Sequence, residues 1–199
     1  MGYFELITED QAGPKEKSSY VEIKNVFGIT SVPDFFLALA SSSDTFSAAW
    51  GAYKEILAGG ILPQQIKEII FLAVALNRRC IYCSSTHLAV CDMIDGISSA
   101  EIDALMDDIT QLTPQRIQDI VTFAIKYVES PTAITEEDFK NLDEHGISER
   151  EVTEIITMAG LAYYAINIAQ AMGIEVETEI SEYLAEHNLQ ERLKQRIYG

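Results

Sequence analysis

Cysteine is scarce in this chain, three in 199 residues, which is too few for a disulfide framework; a chain of this length buries enough apolar surface to need no staples. Positive charge is scarce too. The 14 Lys and Arg stand against 31 Asp and Glu, a formal net charge of -17. Phosphate binding needs clustered basic side chains, so this balance argues against nucleic acid and against an anionic membrane surface as partners. The longest apolar run, 69–76, falls far short of the about 20 residues that cross a bilayer. Residues 1–13 lack the basic start and continuous apolar stretch of a signal peptide, so the expected location is the cytoplasm. Strand signals are nearly absent, which leaves helices.

What is present is helical periodicity. Residues 1–17 show no sustained period and are expected to form an extended arm with a strand-like piece around 3–7. From Ser18 onward the chain reads as a single domain, 18–199. Ser18 or Ser19 caps a first helix, Pro33 opens a second, and Asp44 caps a third that runs to Gly59-Gly60. Pro63 opens a helix apolar on all sides, which implies burial on every face. A capping-box pattern, Ser98 with Glu101, starts another. Further helices follow Pro114, Thr135 and Ser148, and 177–196 reads as one final amphipathic helix. The expectation is an all-α, compact bundle of eight to ten helices joined by short turns.

Setting residue n beside residue n+86 reveals an internal echo. Gly60, Ile61, Glu68, Ile69, Ile70 and Ala73 face identical residues Gly146, Ile147, Glu154, Ile155, Ile156 and Ala159. This points to two degenerate helical repeats, a first half over 18–110 and a second over 111–199. In the second half Ile166, Ala169 and Gly173 stand where the first has Cys80, Cys83 and His87.

The densest chemistry lies in 68–87, EIIFLAVALNRRCIYCSSTH. Cys80 and Cys83, three apart at a helix start, lie on one side of the first turn, and His87 falls on the same face. The unpaired N–H groups of a helix start favour a thiolate, as do nearby cations, here Arg78 and Arg79. In one continuous helix Glu68 would sit about 18 Å from Cys80 and could not act there. If the chain reverses at 77–79, an antiparallel hairpin carries His87 back to the level of Glu68. Glu68 then orients His87, and His87 takes a proton from Cys83.

Glu, eleven residues, Cys-x-x-Cys, three residues, His resembles the signature of the alkylhydroperoxidase D-like group of the carboxymuconolactone decarboxylase superfamily. The resemblance covers about 62–103, and 146–173 is similar to two-repeat, peroxidase-related members. It implies Cys83 as the peroxide-attacking thiol, Cys80 as its resolving partner and proton donor, and Glu68 and His87 as a proton relay. It also implies an all-helical homo-oligomer, trimer-based or dimeric, acting on a hydroperoxide with a thiol or dithiol reductant and no cofactor. Members of the peroxidase type can carry a histidine between the cysteines, where this chain has Tyr82; the paired cysteines argue against lactone decarboxylation.

Two other readings stand beside it. The same cysteines suit a disulfide oxidoreductase acting on protein thiols, with peroxide turnover slow or incidental. Cys80, Cys83, His87 and Cys91 also read as C-x2-C-x3-H-x3-C, a zinc pattern in a non-catalytic helical assembly protein. That pattern leaves Glu68 without a role, and Cys91 is otherwise a small core residue. Pseudo-symmetric packing could bring Tyr163, Tyr164 and Asn167 to the first half's site; the alternative is that they pack in the core.

Overall fold

The computed structural model describes residues 2–199, and no strand occurs among them. The α-helices are α1 (Pro14–Phe27), α2 (Asp34–Leu39), α3 (Ser43–Ala52), α4 (Gln64–Asn77), α5 (Ile81–Met93), α6 (Ser99–Asp107), α7 (Gln115–Glu129), α8 (Glu136–Glu144), α9 (Glu149–Met172), α10 (Thr178–Glu186) and α11 (Gln190–Tyr198). The all-α expectation holds, with eleven α-helices among the described residues instead of eight to ten. The extra one comes from the C-terminus. Asn188 takes a left-handed conformation, φ 61°, and the Leu189 N–H reaches back to the Leu184 carbonyl, so 177–196 divides into α10 and α11.

At the other end α1 starts at Pro14, earlier than the serine caps suggest. Proline's fixed φ suits a first helical position, where its missing N–H costs nothing. The arm before it contains no strand. Its Tyr3 N–H bonds the Met172 carbonyl and its Ile7 N–H bonds the Leu37 carbonyl, which ties it to the ends of α9 and α2. The capping box at Ser98 and Glu101 forms as expected, and a second opens α9 at Ser148 and Glu151.

Helix α4 is the central element. Lys67 through Leu76 are all buried, because α5, α7 and α9 pack around it. One apolar cluster lies between α4, α9 and the α1–α3 layer, and includes Phe36, Phe46, Trp50, Phe71 and Met158. The other lies towards α6, α10 and α11, and includes Leu72, Leu76, Leu88, Met106 and Leu193. Helix α9 has the length and apolar composition to cross a bilayer, but its buried face, with Ile155, Met158 and Ile166, is spent on α4 and α7. Helix α3 continues into a π-helical turn, Tyr53–Leu57, whose wider winding turns Tyr53 and Leu57 inward.

Candidate active site

The reversal between α4 and α5 falls where the 77–79 break predicts. Arg79 adopts φ 53°, a left-handed conformation that a side-chain-bearing residue rarely takes, and the Cys80 N–H closes the turn on the Ala75 carbonyl. Cys80 is thus both the end of one helix and the N-cap of the next. Its sulfur accepts from the Cys83 N–H at 3.4 Å.

The hairpin brings Glu68 and His87 together. His87 Nδ1 lies 2.7 Å from Glu68 Oε2, and both side chains are buried. Gln64, one helical turn before Glu68, donates from Nε2 to Oε1 at 2.9 Å, so each carboxylate oxygen has a partner. Phe71 stacks on the imidazole with ring centroids 3.5 Å apart. Carboxylate, amide and ring together fix the orientation of His87 and direct its Nδ1 hydrogen to Glu68, leaving Nε2 for proton exchange.

All three cysteines are free and buried. Cys80 and Cys83 differ in acidity. The Cys83 thiol lowers the Cys80 pKa, and the N–H groups of Cys83 and Tyr82 help against burial. Cys83 is pushed well above the ordinary thiol range, first by its contact with Cys80, then by burial and by the charges of Cys80 and Glu177. Cys80, at the helix N-terminus, is therefore the more acidic thiol of the pair. The two arginines are not among the causes. Arg78 instead lies over the Tyr163 ring, 5.1 Å from its centroid.

Cys83, His87 and Glu68 line a cavity of about 620 Å³, walled by Phe35, Tyr53 and Phe71 among others; Cys80 is not in its wall. The pair is thus ordered in space: Cys83 faces the cavity, Cys80 lies behind it. Tyr82 reaches a different partner. Its hydroxyl donates to Glu177 Oε1 at 2.8 Å and accepts from the Phe35 N–H at 3.1 Å, which ties α5 to α2 and to the start of α10.

Cys91 does not join Cys80 and Cys83. It packs in the cluster with Leu72, Leu88 and Leu105, and no three His, Cys, Asp or Glu among the described residues gather as a metal-binding group. Tyr163, Tyr164 and Asn167 are also away from the cavity. All three are exposed, and Asn167 bonds back to the Tyr163 carbonyl on α9.

Gln64 was missed, although its place one helical turn before Glu68 is a signal that could have found it. Phe71, Tyr53 and Glu177 had no such signal: the first two read as ordinary core aromatics, and Glu177 lies 95 residues from Tyr82.

Residues 44–111 match the carboxymuconolactone decarboxylase family, and this segment carries all four residues of the Glu68, Cys80, Cys83 and His87 constellation. No curated protein matches the chain. Among solved structures it is similar to the alkylhydroperoxidase AhpD core of an uncharacterized peroxidase-related protein from Ralstonia eutropha JMP134. The TM-score is 0.81 at 21% identity, over 92% of this chain and 95% of that one. A peroxidase-related protein from Silicibacter sp. TM1040 gives 0.79 at 20% identity, over 90% and 93%. The debrominase Bmp8, as a cysteine-to-alanine variant with 2,3,4-tribromopyrrole, gives 0.73 at 19% identity, over 87% and 91%. The chain therefore has the fold of these structures, and its family match is confined to 44–111.

Proposed function

We propose that the protein is a thiol-dependent peroxidase that reduces hydroperoxides through Cys83 and Cys80. The observation that carries this is the order of the pair: Cys83 in the wall of an apolar cavity, Cys80 behind it at a helix N-cap, and His87 held by Glu68 in the same wall.

Proton transfer from Cys83 to the Cys80 sulfur or to His87 Nε2 produces the attacking thiolate. It attacks the peroxide; a sulfur–oxygen bond forms as the oxygen–oxygen bond breaks, and the alkoxide leaves as alcohol with that proton. Cys83 is now a sulfenic acid. The Cys80 thiolate attacks its sulfur, the sulfur–oxygen bond breaks, and hydroxide leaves as water once protonated. A thiol or dithiol reductant returns two electrons and two protons to the disulfide.

Both cysteines are almost closed to the exterior, Cys80 2% and Cys83 3% exposed, which favours a small molecule over a protein thiol as what first meets Cys83. The free cysteines support a reducing compartment, taken here as the cytoplasm. Exposed Tyr163 and Tyr164 on α9 support a homo-oligomer, trimer-based or dimeric. The functional test is peroxide consumption with a dithiol reductant. Wild type consumes peroxide, and Cys83→Ser falls to the uncatalysed rate; equal rates for the two would reject the assignment.

A further inference from the structure

The cavity beside Cys83 is walled largely by apolar side chains, and few of its hydroxyls are open to a ligand. Two of them are already spent. Tyr82 donates to Glu177 Oε1 at 2.8 Å, and Thr86 donates to the Tyr82 carbonyl at 3.1 Å. Ser31 stands on the exposed part of the wall. The fourth hydroxyl belongs to Tyr53. It makes no hydrogen bond to the described residues, and it is not one of the partnerless polar atoms closed to solvent, which lie on Arg78, Ser84, Asp119 and Glu177. A molecule in the cavity can therefore meet it.

The ring that carries this hydroxyl is held in place. Tyr53 opens the π-helical turn, in which the Ala58 N–H bonds the Tyr53 carbonyl at 3.2 Å, and such turns often occur at functional sites. The buried Lys67 of α4 donates to the carbonyls of Ile56, at 2.8 Å, and of Gly59, and so fixes the end of the turn. Phe36 and Phe35 pack on the Tyr53 ring at centroid distances of 5.0 and 5.6 Å, and Phe71, the ring that stacks on His87, lies 6.3 Å away. Burial, then the charges of Cys83 and Glu68, push the phenol well above its ordinary value. It therefore stays neutral and keeps its hydrogen.

We infer that Tyr53 is a further catalytic residue: its hydroxyl donates a hydrogen bond to the oxygen that leaves when the Cys83 thiolate attacks a hydroperoxide. The inference rests on the thiol-peroxidase reading. In that step the sulfur–oxygen bond forms, the oxygen–oxygen bond breaks, and the electron pair of the broken bond goes to the leaving alkoxide oxygen. Tyr53 stabilises this charge as a neutral donor, while the proton that completes the alcohol still comes from His87 Nε2 or the Cys80 sulfur. A donor already fixed in an apolar cavity is worth more than one in water, because nothing has to reorganise as the charge develops. Its help is greatest for an oxygen that leaves as a strongly basic alkoxide and least for one that leaves as a weakly basic carboxylate.

Single-turnover reaction of the reduced protein with one equivalent of tert-butyl hydroperoxide or of peracetic acid tests this, read as loss of the free Cys83 thiol by mass spectrometry. Tyr53→Phe removes one oxygen and no hydrogen bond within the protein, so it keeps the fold. The variant should react with tert-butyl hydroperoxide about thirtyfold more slowly than wild type, and with peracetic acid only about threefold more slowly. Alkylation of Cys83 by iodoacetamide, whose departing iodide needs no donor, should change by less than about twofold, which shows an intact site and an unchanged thiol. Equal losses with both oxidants, no loss with either, or alkylation slowed as much as peroxide reduction would each overturn the inference. A wild type that reacts with neither oxidant defeats the peroxidase reading and this inference with it. A wild type that reacts with both, matched by Tyr53→Phe, defeats this inference alone.

Discussion

Glu68 and Glu154 occupy the same place in the two halves of the chain, 86 residues apart in matching sequence, yet they do different work. Glu68 faces into the α4–α5 hairpin and holds His87 at 2.7 Å. Glu154, on α9, turns outward to the 59–62 loop. It accepts from the Ile61 N–H at 2.8 Å and the Leu62 N–H at 2.9 Å, and lies 3.9 Å from the buried Lys67 ammonium. Gly60 suits this place: at φ 84° any other side chain would be strained, and its Cβ would press on the Glu154 carboxylate.

The cause of the difference is one break in the backbone. In the first half the helix ends at Asn77, turns through Arg79 and restarts after Cys80; in the second half the chain runs straight through the matching residues 163–166 as part of α9. A reversal brings a histidine from the next helix back to the carboxylate, whereas a straight helix carries the matching residues about 1.5 Å further away with each position. The comparison teaches that the same glutamate becomes part of a reactive site or a loop anchor according to whether the helix after it folds back.

Three substitutions sharpen the comparison, from the largest expected effect to the smallest. Glu68→Gln removes the acceptor that orients His87, and peroxide turnover should fall about a hundredfold while the thermal midpoint moves little. A turnover within a few-fold of wild type would mean that His87 needs no carboxylate. Glu154→Gln should do the reverse: it leaves Lys67 buried without its counter-charge and weakens the loop, at a cost of about 2 kcal/mol of stability in denaturant unfolding, with turnover per folded molecule nearly unchanged. If turnover drops as far as in Glu68→Gln, the division of labour between the halves is wrong.

The smallest effect belongs to Asp34. Its folded pKa of about 6 lies above its ordinary value of 3.8, so its contribution to stability is fully present below pH 3.8 and is lost as pH rises through about 6. Asp34→Asn should therefore stabilise the protein at pH 7.5, by about 1 kcal/mol after allowance for solvent screening of a half-exposed group, and should have no effect near pH 3.5. Unfolding curves at the two pH values measure this; an equal gain at both would assign it to a cause other than charge.

Much of this architecture was legible in the sequence because it is local. Pro63 and Pro114, the Ser98 capping box and the all-round apolar face of α4 mark their elements without reference to the rest of the chain. The hairpin was legible for another reason: Glu68 has no use in a straight helix. What was not legible depends on side chains far apart in sequence. Glu177 reads as one more acidic residue in an acidic chain until Tyr82 is seen to reach it. The order of acidity was also hidden, since spacing alone does not separate Cys80 from Cys83, and Arg78, which seemed to favour a thiolate, lies over the Tyr163 ring instead. The division of 177–196 depends on one Asn entering a left-handed conformation, which periodicity does not report.

The most direct measurement exposes the reduced protein to one equivalent of hydroperoxide and maps its disulfides by mass spectrometry of the peptide carrying residues 80 and 83. The account predicts a peptide two hydrogens lighter, with Cys80 joined to Cys83 within one chain, Cys91 still a free thiol, and full reversal by a dithiol. Persistence of both free thiols, or oxidation that begins at Cys91, would contradict it.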